Sequence, residues 1–264
     1  MAIGAEYFNP YDQIGLLHNE GINYVNQKLN SANVVTRQNI LEFVAEFMFY
    51  IDCCDLQLPD FSKTGFIRSK IRYTLFLEFL VNLQNYLQAM SVTDLAKQAE
   101  IKSELLPIVD MIFHNASSIE EDATNSTPGS MEPIFQMLDY LEQKAFENTD
   151  LNQKRSVGLL TAICRSSIEY GQNVLKDPKL RTMHENVNLK AVENVKLPEN
   201  EKKKFRWSFK ADVEGGLGGL ITGGVGGFSD GQLKSAAIGG ILGAVGGAIS
   251  NSFIRSIPAF SSNG

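Results

Sequence analysis

Apolar residues recur at three- and four-residue steps along most of the first 190 residues of the chain. This spacing is typical of amphipathic helices that bury one face. It predicts helices over about 11–29, 34–51, 67–90, 131–147 and 151–175, a further helix that opens at Ser91, and a last polar helix between Pro178 and Leu197. No segment shows the sustained alternation of a strand. We therefore expect an all-α protein with an N-terminal helical bundle of six to seven helices.

Capping residues and prolines indicate where these helices begin and end. Asn9, followed by a proline, predicts the N-cap of the first helix. Ser91 with Asp94 predicts a capping box, and Pro107 predicts a kink in the helix that follows. Residues 115–133 are polar and rich in turn formers, which predicts a long exposed loop. The helix over 67–90 is apolar over more than half of its circumference and is expected to be the most buried of the bundle.

The composition of the chain changes abruptly at Pro198. We expect a soluble helical domain over 1–197 and a basic and aromatic linker over 198–212. A glycine-rich apolar hairpin over 213–254 and a polar tail over 255–264 complete the division.

The glycine-rich tract has fourteen glycines between Gly215 and Gly247, and their spacing along the sequence is regular. Glycine costs roughly 1 kcal/mol relative to alanine inside a helix, so this abundance requires a physical reason. Two sets of glycines recur every four residues and so lie on one face of a helix. The sets are Gly215, Gly219, Gly223 and Gly227, followed by Gly239, Gly243 and Gly247. Faces of small residues let two helices approach closely, in lipid above all.

Two helical arms, over about 213–228 and 235–254, are predicted on either side of a polar turn at Asp230, Gly231 and Lys234. The second arm is about 30 Å long, which matches a hydrocarbon core, and the first, at about 24 Å, is marginal. Basic and aromatic residues precede the hairpin in a mixture that suits a lipid headgroup region. These interface candidates are Lys202, Lys203, Lys204, Phe205, Arg206, Trp207, Phe209 and Lys210. A tightly packed soluble hairpin and a disordered tail remain the alternatives.

The formal net charge of −6 argues against nucleic acid as a partner, because the chain has no overall positive field. Three cysteines give no disulfide framework and favour a reducing compartment. We expect a cytoplasmic or membrane-associated protein. The first residues lack the pattern of a Sec signal peptide, so export would require another route.

Catalytic and metal-binding patterns are absent from the sequence. The glycine tract lacks both the phosphate-loop pattern and the third glycine of a dinucleotide-binding turn. His18, placed on the polar edge of the first helix, could ligate a metal, but a structural histidine is the preferred interpretation. Cys164 is expected to be a small core residue. We therefore predict no enzyme activity, no cofactor and no metal.

The tract from Gly215 to Gly247 resembles the glycine-zipper segments of membrane-active proteins such as bacteriocin peptides with two glycine faces, holins and pore-forming toxins. Separately, NPYDQIGLLHNEGINYV at Asn9 to Val25 is similar to the opening of uncharacterised helical proteins of Bacteroidota. The zipper resemblance implies a mode of helix packing and transfers no catalytic residue. Unlike the peptide bacteriocins, this chain carries a large N-terminal domain.

Two hypotheses from different classes follow. In the first, a non-enzymatic protein inserts its hairpin into a membrane or forms a homo-oligomer there through the glycine faces, with bacteriocin-like or toxin-like permeabilisation as one form of this activity. In the second, a soluble helical module binds a protein partner, and the hairpin packs on itself, on the bundle or on that partner.

Overall fold

The computed structural model describes residues 9–52, 70–88, 90–123, 131–147, 149–191, 208–226, 233–257 and 260. Within these ranges the chain forms ten helices and no strand, which confirms the all-α class. The helices are α1 (Asp12–Ser31), α2 (Arg37–Asp52), α3 (Lys70–Leu87), α4 (Val92–Gln98), α5 (Leu106–Ala123), α6 (Glu132–Phe146), α7 (Leu151–Lys176), α8 (Pro178–Ala191), α9 (Phe209–Gly226) and α10 (Leu233–Ser256). The last two are the arms of the predicted hairpin.

The start of α1 differs from the prediction that Asn9 is its N-cap. The helix begins at Asp12, and the N-cap position, Tyr11, makes no side-chain capping bond. Asn9 is buried instead. Its Oδ1 accepts a hydrogen bond from the Tyr11 N–H, and its Nδ2 donates to Glu142 Oε1 at 2.9 Å and to Thr161 Oγ1 at 3.1 Å. The asparagine therefore ties the start of the described chain to α6 and α7.

A turn between α4 and α5 replaces the kink predicted at Pro107. The predicted cap at the start of α4 is confirmed, because Ser91 Oγ accepts a hydrogen bond from the Asp94 N–H. The helix ends in a Schellman motif, with Glu100 at a φ of 61° and the Ile101 N–H bonded to the Ala96 carbonyl. Pro107 then lies in the first turn of α5, where a proline removes no helical hydrogen bond.

The predicted loop over 115–133 begins later than expected. Helix α5 continues through residues 115–123 to Ala123, and α6 begins at Glu132. The segment from Asn115 to Ala123 contains two alanines and two glutamates, and both residue types favour a helix. Residues 124–130 lie outside the described part of the chain.

Helices α9 and α10 form the centre of the bundle. Helix α9 packs against α3, α4, α5 and α7, while α10 packs against α1, α2, α3 and α7. Every described side-chain position from Ala211 to Leu220 and from Gly239 to Ile254 is buried. The most buried helices are therefore these two arms and not α3, which keeps Val81 and several neighbours exposed. The helices of the N-terminal region form a layer around the hairpin.

Candidate functional site

Glycine lies directly against glycine where the two arms cross. A Cβ built on Gly219 would lie 1.9 Å from the carbonyl oxygen of Gly243, far inside the closest real carbon–oxygen contact. The same holds for two further pairs, in which the added Cβ would lie 2.1 Å and 2.2 Å from a carbonyl oxygen. These pairs are Gly215 with Gly247 and Gly223 with Gly239. We call the three pairs the glycine seam. Along it the two backbones touch, and any side chain would force them apart.

Six of the seven glycines predicted to pack helices therefore meet within one chain, and Gly227 lies outside the described residues. The predicted turn residues Asp230 and Gly231 also lie outside them, and Lys234 falls in the first turn of α10. The seam joins α9 to α10 over three successive helical turns.

Side chains of the surrounding helices cover the other faces of the arms. A Cβ built on Gly216 would meet Cδ1 of Ile163 on α7, and one on Gly218 would meet Cδ2 of Leu87 on α3. On α10, a Cβ built on Gly246 would lie 2.2 Å from Sδ of Met48 on α2. At the glycine seam the arms thus contact each other through backbone, and at these three outer glycines they contact apolar side chains of the bundle.

The basic and aromatic segment is only partly described. Residues 202–207, which include six of the predicted interface residues, lie outside the described ranges. Phe209 is completely buried, with its ring 5.6 Å from the ring of Phe113 on α5. Lys210 is exposed and lies 3.7 Å from the carboxylate of Glu214. Helix α9 begins at Phe209, four residues earlier than predicted, and this places Asp212 and Glu214 inside the helix.

A polar cluster is buried at the base of the hairpin, next to the glycine seam. Ser167 Oγ on α7 donates a hydrogen bond of 2.5 Å to Oδ2 of Asp212, and Ser252 on α10 is a further hydrogen-bond partner of this carboxylate. His18 Nε2 on α1 lies 3.5 Å from the same Oδ2. We call these four residues the base cluster. It joins α1, α7, α9 and α10.

The base cluster holds two ionisable groups that water does not reach, since His18 and Asp212 are both completely buried. Burial raises the pKa of Asp212 to about 7, although the hydrogen bonds from Ser167 and Ser252 oppose this shift. Burial lowers the pKa of His18 to about 4, opposed by its hydrogen bond with Asn19. His18 Nε2 and Asp212 Oδ1 have no hydrogen-bond partner among the described residues. Both groups are therefore neutral between about pH 4 and about pH 7.

A second buried histidine lies beside the base cluster. His184 Nε2 on α8 is 2.9 Å from the hydroxyl of Tyr170, which donates to Asn23 Oδ1 at 3.2 Å. The imidazole stacks on the ring of Phe253 on α10, with 6.3 Å between the ring centroids. Burial lowers the pKa of His184 to about 4. Burial and the nearby Asp212 both raise the pKa of Tyr170.

The environment of His18 corrects its predicted place on the polar edge of α1. His18 follows Ile14 by four residues and precedes Ile22 by four, so it lies on the inward face. No group of three or more His, Cys, Asp or Glu side chains able to hold a metal ion occurs in the described part of the chain. Cys164 is buried as predicted, and burial raises the pKa of its thiol.

Asp212 is the residue of this site that the sequence pattern missed. The sequence places it in the linker over 198–212, because it ends the charged and aromatic run ENEKKKFRWSFKAD. A usable signal is present in Ser208, whose Oγ accepts a hydrogen bond from the Ala211 N–H, followed by an acidic residue in the first helical turn. This signal marks the true start of α9. The positions of Ser167 and Ser252 beside Asp212 depend on tertiary packing and have no local signal.

Within the described ranges, no helix combines the length and the apolar character that crossing a membrane requires. Comparisons with profiles of known protein families, with curated proteins and with solved structures find no match.

Proposed function

We propose that the protein is a non-enzymatic, membrane-associating protein that stores a glycine-zipper hairpin inside its folded chain. The hairpin binds lipid, and oligomerises there, when it leaves the bundle. The observation that supports this most is the division of contacts around the arms. The arms meet each other through the backbones of the glycine seam, whereas they meet the bundle through side chains such as Ile163, Leu87 and Met48.

Because of this division, the contacts that hold the two arms together do not depend on what covers their outer faces. Backbone contacts along the seam stay intact whether protein or lipid covers the outer faces, because small-residue helix packing requires no solvent-driven burial. Apolar side chains of α2, α3 and α7 cover those faces in the folded chain, and acyl chains have the same apolar character. The basic and aromatic residues from Lys202 to Lys210 would favour an anionic headgroup region.

Permeabilisation of the bacteriocin or toxin type is the form of activity that suits such a hairpin. In lipid, the arm that carries Gly219 would exchange its partner for the equivalent arm of another chain, because the same glycine contacts then form between chains, and this exchange gives homo-oligomers. Dye release from vesicles follows if these oligomers disturb the bilayer. No catalytic group is needed for this activity.

A reversible tether tests the proposal on the full chain. A Cβ built on Gly246 would lie 3.0 Å from Cγ of Met48, the position of the sulfur in a cysteine, and this separation suits a disulfide. Met48→Cys with Gly246→Cys, in a Cys53→Ser and Cys54→Ser background, would fasten α10 to α2 when oxidised. Flotation with phosphatidylglycerol vesicles and release of an enclosed dye are then measured with and without reductant.

We expect the reduced protein to float with the vesicles and to release dye, and the oxidised protein to do neither. The background variant with Met48 and Gly246 intact is the control and should respond identically with and without reductant. Equal flotation of the oxidised and reduced proteins would show that the hairpin need not leave the bundle. Absence of flotation at every pH between 4 and 8 would remove the membrane function.

A protein-interaction module is the second candidate, and the burial of acidic groups in α9 favours it. Asp212 and Glu214 are both buried, and Asp212 accepts a hydrogen bond from Ser167 of α7. These polar contacts favour a hairpin that stays in the bundle as a permanent core. The exposed helix faces would then bind a protein partner, and the vesicle experiment would give no flotation.

A further inference from the structure

A lysine lies between two aromatic rings on the outer surface of the bundle, where α1 packs against α2. The ammonium nitrogen of Lys28 on α1 is 5.1 Å from the ring centroid of Tyr24 and 6.0 Å from that of Phe43 on α2. The same nitrogen donates a hydrogen bond of 2.9 Å to Oε1 of Glu46. We call Tyr24, Phe43 and Glu46 the cation cage. Aromatic faces attract a cation, and the carboxylate adds to this attraction.

The fold holds the two rings of the cation cage in place. Tyr24 and Phe43 are half-buried, and both pack against the hydrophobic core. The ring of Tyr24 also contacts the ring of Phe47, which is buried on α2, with 5.5 Å between the centroids. A ligand that binds between the rings therefore has to order few side chains, and this keeps the entropic cost of binding low.

The cation cage is open to solvent on its outer side. The side chains of Lys28 and Glu46 are 40% and 45% exposed, and an ion pair with this exposure contributes little to stability. A cation from outside can therefore take the place of the lysine ammonium. Glu42 precedes Glu46 by four residues, and Glu20 precedes Tyr24 by four residues, so two further carboxylates lie one helical turn away. These carboxylates favour a positive charge at this position.

The hydration of the incoming cation decides which chemical class can replace Lys28. A primary ammonium from outside would repeat the contacts that Lys28 already makes, and it would also lose the freedom of a separate molecule. A quaternary ammonium presents methyl groups to both rings and gains from the removal of this apolar surface from water. The lysine ammonium is compact and strongly hydrated, so it lacks that gain.

We propose that the cation cage binds a trimethylammonium group of the choline type, and that Lys28 occupies the cage until such a group displaces it. The group can belong to free choline or to the headgroup of a phosphatidylcholine membrane, and its contacts in the cage are the same. The ligand approaches from outside α1 and α2, so the hairpin stays in the bundle. Binding at the cage therefore goes beyond the proposed function and does not depend on it.

Titration of the full chain with choline, followed by proton NMR of the choline methyl groups, measures this binding. Protons held over ring faces shift upfield, so we expect a saturable upfield shift. Lys28→Gln removes the internal competitor and should tighten choline binding by up to about fivefold. Phe43→Leu removes one of the two rings and should weaken binding by about two- to fivefold. Methylammonium should bind more weakly than choline, and equal binding of the two would contradict the quaternary class.

Tyr140→Leu is the matched control. On α6, the ammonium of Lys144 lies over the ring of Tyr140, 5.7 Å from its centroid, and 3.2 Å from Oε2 of Glu147. The variant thus removes a similar contact between lysine and tyrosine at a place outside the cation cage, and choline binding should not change. Equal losses for Phe43→Leu and Tyr140→Leu would overturn the cage.

The comparison of the unaltered protein with Lys28→Gln keeps the proposal falsifiable if Phe43→Leu fails to fold. Lys28 is partly exposed, so its replacement leaves the core intact. Absence of a saturable upfield shift in both proteins would overturn the cation cage. Choline binding by Lys28→Gln that is no tighter than binding by the unaltered protein would overturn it as well.

Vesicle flotation identifies the source of the trimethylammonium group. Flotation of Lys28→Gln with phosphatidylcholine vesicles that free choline abolishes would assign the cage to the lipid headgroup. Choline binding without such flotation would assign it to a free organic cation. Phosphatidylglycerol carries no trimethylammonium group, so flotation with that lipid reports on the hairpin. Failure of the cage and failure of the proposed function therefore give different results.

Discussion

Replacing Gly219 by alanine is expected to destabilise the protein, although alanine is the better helix former. The added Cβ would lie 1.9 Å from the Gly243 carbonyl oxygen and 2.4 Å from the Gly243 carbonyl carbon. Both atoms are backbone, so no rotamer change relieves the clash. Reaching an ordinary contact of about 3.4 Å requires the arms to separate by about 1.5 Å, and a gap of this size forfeits at least half of the dispersion energy between the facing atoms.

The expected size of this effect follows from two opposing terms. Overpacking of a filled core costs about 3 kcal/mol at the upper end of its usual range, and this site belongs there because two backbones collide. Alanine gains about 1 kcal/mol over glycine in helix propensity. We therefore expect Gly219→Ala to lower the free energy of unfolding by about 2 kcal/mol, measured by urea unfolding followed by circular dichroism at 222 nm.

Gly216→Ala is the matched control, because it makes the same change in the same helix, three residues away. Its Cβ would lie 2.6 Å from Cδ1 of Ile163, a terminal methyl group that borders a narrow apolar gap shared with Leu160 and Val213. Because this methyl group is the far end of a flexible side chain, a small shift relieves the contact and leaves mainly the gain in helix propensity, so we expect a change between 0 and about +1 kcal/mol. Equal effects of Gly219→Ala and Gly216→Ala would refute the glycine seam as a backbone contact.

Three further substitutions test separate contacts. Ser167→Ala removes the hydroxyl that donates to Asp212 and should lower the free energy of unfolding by about 1–3 kcal/mol at pH 8. The loss should be smaller at pH 5.5, where the Asp212 carboxyl is neutral. The control Ser166→Ala should show no such pH dependence. Asn9→Ala removes hydrogen bonds to Glu142 and to α7 and should cost about 2–4 kcal/mol in the same unfolding assay; a loss under 0.5 kcal/mol would contradict the anchoring role. Glu100→Gly should stabilise by about 1 kcal/mol, because residue 100 has a φ of 61°, and a destabilisation would contradict the backbone assignment.

Helix periodicity was sufficient to predict the fold class and most helix bounds. The predicted helix over 151–175 corresponds to α7 at Leu151–Lys176, and that over 131–147 corresponds to α6 at Glu132–Phe146. Both have strong apolar stripes and clear breaks on either side. Helix ends were predicted wrongly where they are set by contacts that the hydrophobic pattern does not show. Examples are the Schellman motif at Glu100 and the tertiary hydrogen bonds of Asn9.

The surroundings of the hairpin could not be predicted from the same pattern. Four-residue glycine spacing indicates that something packs closely against one helix face. It does not say whether that is lipid, a second chain or the chain's own bundle. The apolar faces of α2, α3 and α7 likewise indicate burial without naming what buries them. The base cluster was missed for a related reason, because His18 and Asp212 are 194 positions apart and only the packed fold brings them together.

The most direct test of the enclosed hairpin is hydrogen exchange of the full chain in water without detergent, followed by mass spectrometry. Backbone amides within 211–224 and 239–254 should exchange as slowly as those of α7, because all three helices share one core and open only when the protein unfolds. Exchange of the two arms within seconds, with α7 still protected, would show that the hairpin does not belong to the core.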